Sequence, residues 1–224
     1  MISVVIPTFN AKPGLMRLLD NLKACPFKYE VVVVDGGSTD GTADYATSRK
    51  CRVGATAKGR GIQLKAGAAL AQGDWLLFLH ADTVLDTGWA EALTDYFSRP
   101  DAADKAAYFT FALDDRVSQD ARRVEDLTAW RCETFGLPYG DQGLLISRTL
   151  YQRVGGYEPV PLMEDVGLVR RIGKGWLVCL PAKAITSAAR YKKDGYLLRP
   201  LRNLFCLALY YLGVSPRTIA RIYG

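Results

Sequence analysis

The chain has 224 residues, which at roughly 150 per domain makes one large domain or two small ones. Hydrophobic residues make up 49% and charged residues 23%, which excludes a disordered or fibrous chain. At this length about 70% of the unfolded surface can be buried, so the core needs no metal or disulfide staple. The net charge of +6 suits an anionic small substrate or a membrane surface at least as well as nucleic acid, and no nucleic-acid partner is expected.

The first half alternates short apolar runs with helical patterns. Ile2–Ile6 reads as a strand, Gly14–Ala24 as a helix, Val31–Val34 as a fully apolar strand and Thr39–Ser48 as a helix. Arg52–Ala55 is a short strand, Gly61–Ala71 an Ala-rich helix, Trp75–Leu79 a central strand and Thr87–Ser98 a helix. Strands without polar alternation are buried on both faces, and the helices between them make the crossovers of a parallel sheet. The class is therefore α/β, a Rossmann-like, mostly parallel sheet flanked by helices.

The second half is less regular. Ala106–Leu113 reads as a strand, Ser118–Thr134 and Leu162–Ile172 as helices, and Trp176–Leu180 and Ala184–Thr186 as two short strands. Glycine- and proline-rich segments fall at Gly136–Gly143 and Gly155–Pro161. The tail from Gly195 to Tyr223 is helical, with a break at Gly213 and Pro216. No linker separates the halves, so residues 1–224 form a single domain: 1–100 bind the ligand, 101–190 complete the site, and 191–224 are a helical tail.

The five cysteines (Cys25, Cys51, Cys132, Cys179, Cys206) are odd in number and form no C-x-x-C pair, which indicates free thiols in a reducing compartment such as the cytoplasm. With His80 the single histidine, a structural zinc site is not expected. The N-terminus enters a strand at once and lacks the pattern of a signal peptide. The longest apolar stretch, Leu204 to Val214, is shorter than the roughly 20 residues that span a bilayer. Basic residues interleaved with Leu and Phe in the tail read as a solvated face or as a peripheral contact with the inner face of a membrane.

In open α/β sheets ligands bind beyond the carboxyl ends of the strands. The residues there are Pro7-Thr8-Phe9-Asn10, Asp35-Gly36-Gly37-Ser38 and His80-Ala81-Asp82. Asp35 stands where a dinucleotide-binding protein holds a ribose, yet the first turn lacks G-x-G-x-x-G and no P-loop is present. A nucleoside diphosphate bound here needs another source of positive charge. A divalent cation on Asp82, with Lys58 and Arg60 as fixed charges, supplies it. The structural alternatives are a turn at Asp35, a helix N-cap at Asp82 and a core histidine at His80. Arg60 and Gln63 read as phosphate contacts or as solvated residues at a helix start.

Val4-Val5-Ile6-Pro7-Thr8-Phe9-Asn10 and Val32-Val33-Val34-Asp35-Gly36-Gly37-Ser38-Thr39-Asp40-Gly41-Thr42 resemble the opening of the family-2 glycosyltransferases, which have the nucleotide-sugar-binding fold called GT-A. Gly59-Arg60-Gly61-Ile62-Gln63, Phe78-Leu79-His80-Ala81-Asp82-Thr83, Gly140-Asp141-Gln142-Gly143, Pro161-Leu162-Met163-Glu164-Asp165 and Tyr211-Leu212-Gly213-Val214-Ser215-Pro216 resemble one bacterial branch, the arsenosugar-biosynthesis-type enzymes.

The resemblance implies a metal-dependent inverting transfer of a sugar from a nucleotide diphosphate donor, usually a UDP-sugar, to the hydroxyl of a small-molecule or lipid-linked acceptor. It places Pro7, Thr8 and Asp35 on the nucleoside, with Asn10 and Gly37 in the same loops. Asp82 holds Mn or Mg on the diphosphate, and Asp165 is the general base, supported by Glu164. Asp141 and Gln142 are turn residues or acceptor contacts, and Arg190 lies where relatives carry a phosphate- or acceptor-binding segment. The sequence departs from the family pattern at His80, which replaces the first acid of a D-x-D-type motif, and at Ala189 and Tyr191. Those departures keep a non-catalytic nucleotide-sugar-binding module among the readings. A nucleotidyltransferase on a similar sheet is the other alternative, although its glycine-rich N-terminal loop is missing.

Overall fold

A computed structural model describes residues 1–223. The chain opens with β1 (Ile2–Thr8), α1 (Lys12–Asn21), β2 (Tyr29–Asp35), α2 (Thr42–Ser48), β3 (Arg52–Ala55), α3 (Arg60–Leu70) and β4 (Trp75–Phe78). It continues through β5 (Val84–Leu85), α4 (Trp89–Phe97), β6 (Ala106–Leu113), α5 (Gln119–Phe135), β7 (Leu144–Ser147) and α6 (Arg148–Arg153). The last elements are α7 (Glu164–Ile172), β8 (Leu177–Thr186), α8 (Ala189–Asp194), α9 (Leu198–Tyr211) and α10 (Pro216–Tyr223).

All eight strands join one sheet in the order β3-β2-β1-β4-β7-β6-β8-β5. The four leading strands are mutually parallel; β7 then enters antiparallel to both β4 and β6, and β8 runs parallel to β6. The sheet is thus parallel in its first half and mixed beyond it, because both halves of the sequence contribute strands to one continuous surface.

Strand order reverses between β1 and β4, and the sequence explains why the two part there. Their ladder runs from Ile2↔Trp75 to Val5↔Phe78, and Leu79 adds one more bond, donating to Val5 O. The next donor on that edge of β1 would be Pro7, which has no N–H. On the opposite edge β1 pairs with β2 up to Thr8↔Asp35. The crevice therefore opens at the switch point where ligands of such sheets bind.

The core lies on both faces. On one, Val4, Ile6, Leu15, Leu18, Val33, Leu77, Trp89 and Leu93 pack together. On the other, Val5, Val32, Val34, Leu64, Leu76, Phe78, Leu168 and Ile172 do so. The central strands hold apolar residues on each face, as continuous burial requires.

Helix boundaries shift from the sequence expectation where loop chemistry intervenes. α2 starts at Thr42 rather than Thr39, because the Thr39 amide donates to Asn10 Oδ1, Gly41 takes a left-handed conformation (φ 79°), and the Thr42 amide donates to Asp40. α7 starts at Glu164 rather than Leu162, because Met163 is left-handed (φ 66°). The two expected strands at 176–180 and 184–186 are one strand, β8, whose register against β6 slips between Phe109 and Thr110. The slip falls opposite Pro181-Ala182, as a β-bulge accommodates extra residues. Trp176 lies outside it in a 3-10 turn.

Candidate active site

The carboxyl ends of β1 and β2 are tied to each other by side chains. Asp35 accepts the Thr8 hydroxyl (2.9 Å), the Ser38 hydroxyl (2.5 Å) and the amides of Ser38 (2.7 Å) and Gly37 (2.9 Å). Burial pushes its pKa up, but the donors on Ser38, Thr8 and Gly37 outweigh this and hold it below the ordinary range. A carboxylate offers about four lone-pair positions, and all are used. Gly37 adopts φ 90°, a left-handed conformation that glycine takes without strain. Asn10, itself at φ 47°, links the first loop to the second: its amide donates to Ser38 Oγ and its Oδ1 accepts from Thr39.

Gln63 also belongs to this frame rather than to a ligand surface. It is buried, its Nε2 donates to Thr8 O and Val34 O (2.8 Å each), and its Oε1 accepts the Gly59 amide. Lys58 leaves the frame with its ammonium 3.9 Å over the exposed Phe9 ring.

A cleft beyond the strand ends, open to solvent, holds about 860 Å³ of empty space. His80, Asp82, Arg60, Asp141, Glu164, Asp165 and Arg190 all line it, so five elements of the sequence converge there. Close packing fixes several of them. A Cβ on Gly14 of α1 would lie 2.7 Å from Ala81 O, so the absent side chain lets the helix press on the backbone that carries Asp82. A Cβ on Gly140 would lie 2.9 Å from His80 Nε2 and 3.5 Å from Asp165 Oδ2, so that glycine lets histidine and aspartate approach.

Asp165 accepts the Gly140 amide at Oδ2 (2.8 Å) and the Val166 amide at Oδ1 (2.7 Å). Each oxygen keeps one lone pair for another partner. Glu164, before it, is buried; its Oε1 lies 3.6 Å from Arg60 Nε and its Oε2 has no partner among the described residues. Burial first, and the neighbouring Asp165 second, push the Glu164 pKa up to about 7 against the pull of Arg60. Asp141 is also short of donors. Its buried Oδ1 has no partner, and burial raises its pKa to about 6. His80 is held neutral: burial and then the Arg60 charge lower its pKa to about 4.

Of the two readings of Gln142, turn residue or acceptor contact, its hydrogen bonds match the first. It is buried and does not line the cleft. Its Oε1 accepts from the Tyr139 amide (3.1 Å), Arg131 (3.1 Å) and Cys132, and its Nε2 donates to Phe109 O (3.2 Å). It is the interior strut that positions the 139–143 turn. Asp35 and Gln63 likewise lie outside the cleft lining, whereas Asp82, Asp141, Glu164, Asp165, Arg60 and Arg190 lie within it. Tyr191 is buried and stacks on Tyr196 (5.8 Å). The tail supplies members the sequence reading missed: Arg199 and Asn203 of α9 and Tyr223 of α10. Arg199 and Asn203 are four apart on a helix whose one other charged residue is Arg202, a spacing that places them on one face.

Among the described residues no three His, Cys, Asp or Glu side chains are grouped to cage a metal ion. The donors do fit a cation that arrives on phosphates. Magnesium-type sites use one or two carboxylates plus substrate oxygens, and the unpartnered Asp141 Oδ1 and Asp82 are hard oxygens on one cleft.

Comparison with known proteins bears on the family and the fold. A glycosyltransferase for PGL/p-HBAD biosynthesis in Mycobacterium bovis is 39% identical over 94 residues, covering 38% of this chain and 36% of that protein. The chain thus spans about a third of that relative's length. The N-acetylglucosaminyl-diphospho-decaprenol L-rhamnosyltransferase of Mycobacterium tuberculosis is 28% identical over 221 residues, covering 79% of this chain and 72% of that one. Among solved structures, TarS of S. aureus in complex with UDP-GlcNAc aligns with a TM-score of 0.62 and 16% identity over 92% of this chain and 65% of that one. A mannosyltransferase from Pyrobaculum calidifontis in complex with GDP-Man and Mn2+ aligns at 0.60 and 20% over 87% of this chain and 58% of that one. Both share the fold. Residues 3–149, well over half of the chain, match glycosyl transferase family 2, and the chain belongs to that family.

Proposed function

We propose that the cleft transfers a sugar from a nucleotide diphosphate donor to an acceptor hydroxyl by single displacement with inversion. The observation that carries this reading is one cleft lined by Asp165, with a free lone pair on each oxygen, and by the cations Arg60 and Arg190 and the partly unsatisfied acids Glu164 and Asp141. The family and the nucleotide-sugar complexes of its structural neighbours support it.

The donor nucleoside rests on the loops after β1 and β2, on the backbone of Pro7, Thr8 and Asn10. Asp35 and Gly37 shape that surface and do not donate to it. The diphosphate lies toward Arg60, Arg190 and Asp82. A divalent cation held by Asp82, with Asp141 beside it, would neutralise the charge that develops on the leaving diphosphate. UDP-sugars are the first donors to test, by resemblance to the family.

Asp165 takes the proton of the acceptor hydroxyl as its oxygen attacks the anomeric carbon. The amides of Gly140 and Val166 orient its carboxylate and stabilise its charge. Glu164 holds its own proton up to about pH 7, so the pair is kept from carrying two adjacent charges below that pH. Neutral His80 adds no positive charge against Asp165. The departing diphosphate needs no proton, so one base suffices, unlike the two-carboxylate hydrolases.

The products decide between this reading and its rivals. Incubation with UDP-sugars, manganese and candidate acceptors is expected to release nucleoside diphosphate. Release of pyrophosphate would identify a nucleotidyltransferase. Donor binding without turnover of any donor, hydrolysis included, would identify a binding module.

A further inference from the structure

The positive charge of the chain is not spread over it. Residues 1–189 hold 22 Lys and Arg against 22 Asp and Glu, so they balance. Residues 190–224 hold seven Lys and Arg and a single acid, Asp194, which accounts for the whole net charge of +6. That segment forms α8, α9 and α10.

The same segment exposes an uninterrupted apolar face. Leu198, Leu201, Leu204, Phe205, Ala208, Tyr211 and Leu212 are all exposed, Leu198 at 68%, Leu204 at 60% and Leu212 at 80%. Their spacing of three and four puts them on one side of α9 and its C-cap. Of the polar residues of that helix, Arg199 and Asn203 turn to the cleft, and Arg199 and Arg202 pair with Asp194. The inner side of α9 also packs Cys206 and Leu207 against the protein, so the helix carries apolar residues on its solvent side as well as on its buried one. Lys193 of α8 and Arg217 and Arg221 of α10, exposed on the two helices packed against α9, make no ion pair among the described residues.

We infer that the outer face of α9 docks on an anionic lipid surface, its leucines and Phe205 in the acyl boundary and Lys193, Arg217 and Arg221 at the headgroups. An exposed apolar stripe on α9, with unpaired cations on the adjoining helices and the excess charge concentrated in the same 35 residues, is complementary to such a surface. No described helix is long and apolar enough to cross a membrane, so the contact is interfacial. The opposite side of α9 lines the cleft, which places the cleft beside the headgroup layer. That a lipid-borne acceptor enters from this layer rests on the transferase reading; the docking itself does not.

Co-sedimentation of the full chain with vesicles, in the absence of any donor, tests the docking independently of turnover. Vesicles of phosphatidylcholine mixed with phosphatidylglycerol are expected to bind the protein at low salt, and high salt to release it. Vesicles of phosphatidylcholine alone are expected to bind at least roughly tenfold less. Replacing Lys193, Arg217 and Arg221 by Gln is expected to weaken binding about fivefold per charge removed. Leu201→Gln with Leu204→Gln and Phe205→Gln is expected to weaken it by roughly tenfold or more while the melting temperature stays unchanged, since these side chains face solvent. Failure of the wild-type chain to bind anionic vesicles at low salt would overturn the proposal. So would a stable dimer that the triple Gln variant converts to a monomer, because the face would then belong to a second copy.

Discussion

The two loop systems around the crevice treat their acids in opposite ways. At the ends of β1 and β2, Asp35 is saturated: four donors from Thr8, Gly37 and Ser38 occupy its carboxylate and hold its pKa down. In the cleft under α7, Asp141 and Glu164 each keep a buried oxygen without a donor, and burial raises both. Saturated acids build the frame, and unsatisfied acids wait for a ligand. The unsatisfied set is unfavourable in the free protein, the cost expected where stability is sacrificed for binding or catalysis.

Removing a member of the frame should give the largest loss of stability. Gln142→Ala leaves the Tyr139 amide, Arg131 and Phe109 O without their interior partner and opens a cavity, at about 3–5 kcal/mol. A chain of this size should then melt roughly 6–20 °C lower in a calorimetric scan. Asp35→Ala loses four hydrogen bonds at a more open loop and should cost about 2–3 kcal/mol by the same scan. An unchanged melting temperature for either would erase the distinction between frame and cleft.

The cleft acids should behave in the opposite sense. Asp141 holds its proton to about pH 6 when folded against an ordinary value of 3.8, and Glu164 to about 7 against 4.5. Between those values the native state binds more protons than the unfolded state, so their contribution falls as pH rises. His80 opposes them: it is neutral in the fold above about pH 4 but titrates near 6.5 when unfolded, so its contribution rises with pH over that window. Asp141→Asn removes the first effect and should stabilise the free protein by about 1–3 kcal/mol near pH 8 and by less near about pH 4.5. Melting curves at the two pH values check the sign. Equal shifts would show that Asp141 is not the buried acid described.

Much of the frame was legible before the structure. β1, β2 and β4 are continuous apolar runs, and acids and glycines follow them where a doubly wound sheet turns. The strand β7 was not, because Leu144–Ser147 is four residues long and lies between a glycine-rich turn and a helix cap. The division of the acids was not legible either. Asp35 and Asp82 both follow apolar strands, and only three-dimensional donors show that one is saturated. The sequence leaves Gln63 open between a phosphate contact and a solvated helix-start residue, and Gln142 between a turn residue and an acceptor contact, because only three-dimensional partners show amides that bond in every direction. Arg199 and Asn203 are four apart on a leucine-rich helix that also holds Arg202, and the sequence leaves its basic residues between a solvated face and a membrane contact.

The central claim is that Asp165 accepts a proton in a cleft that already binds the donor. Calorimetric titration of donor and measurement of nucleoside diphosphate release, both on Asp165→Asn beside the wild type, test it in one comparison. The account predicts donor affinity within about threefold of wild type and turnover lower by roughly 10²–10⁴. Turnover at the wild-type rate would remove Asp165 from the chemistry and contradict the account.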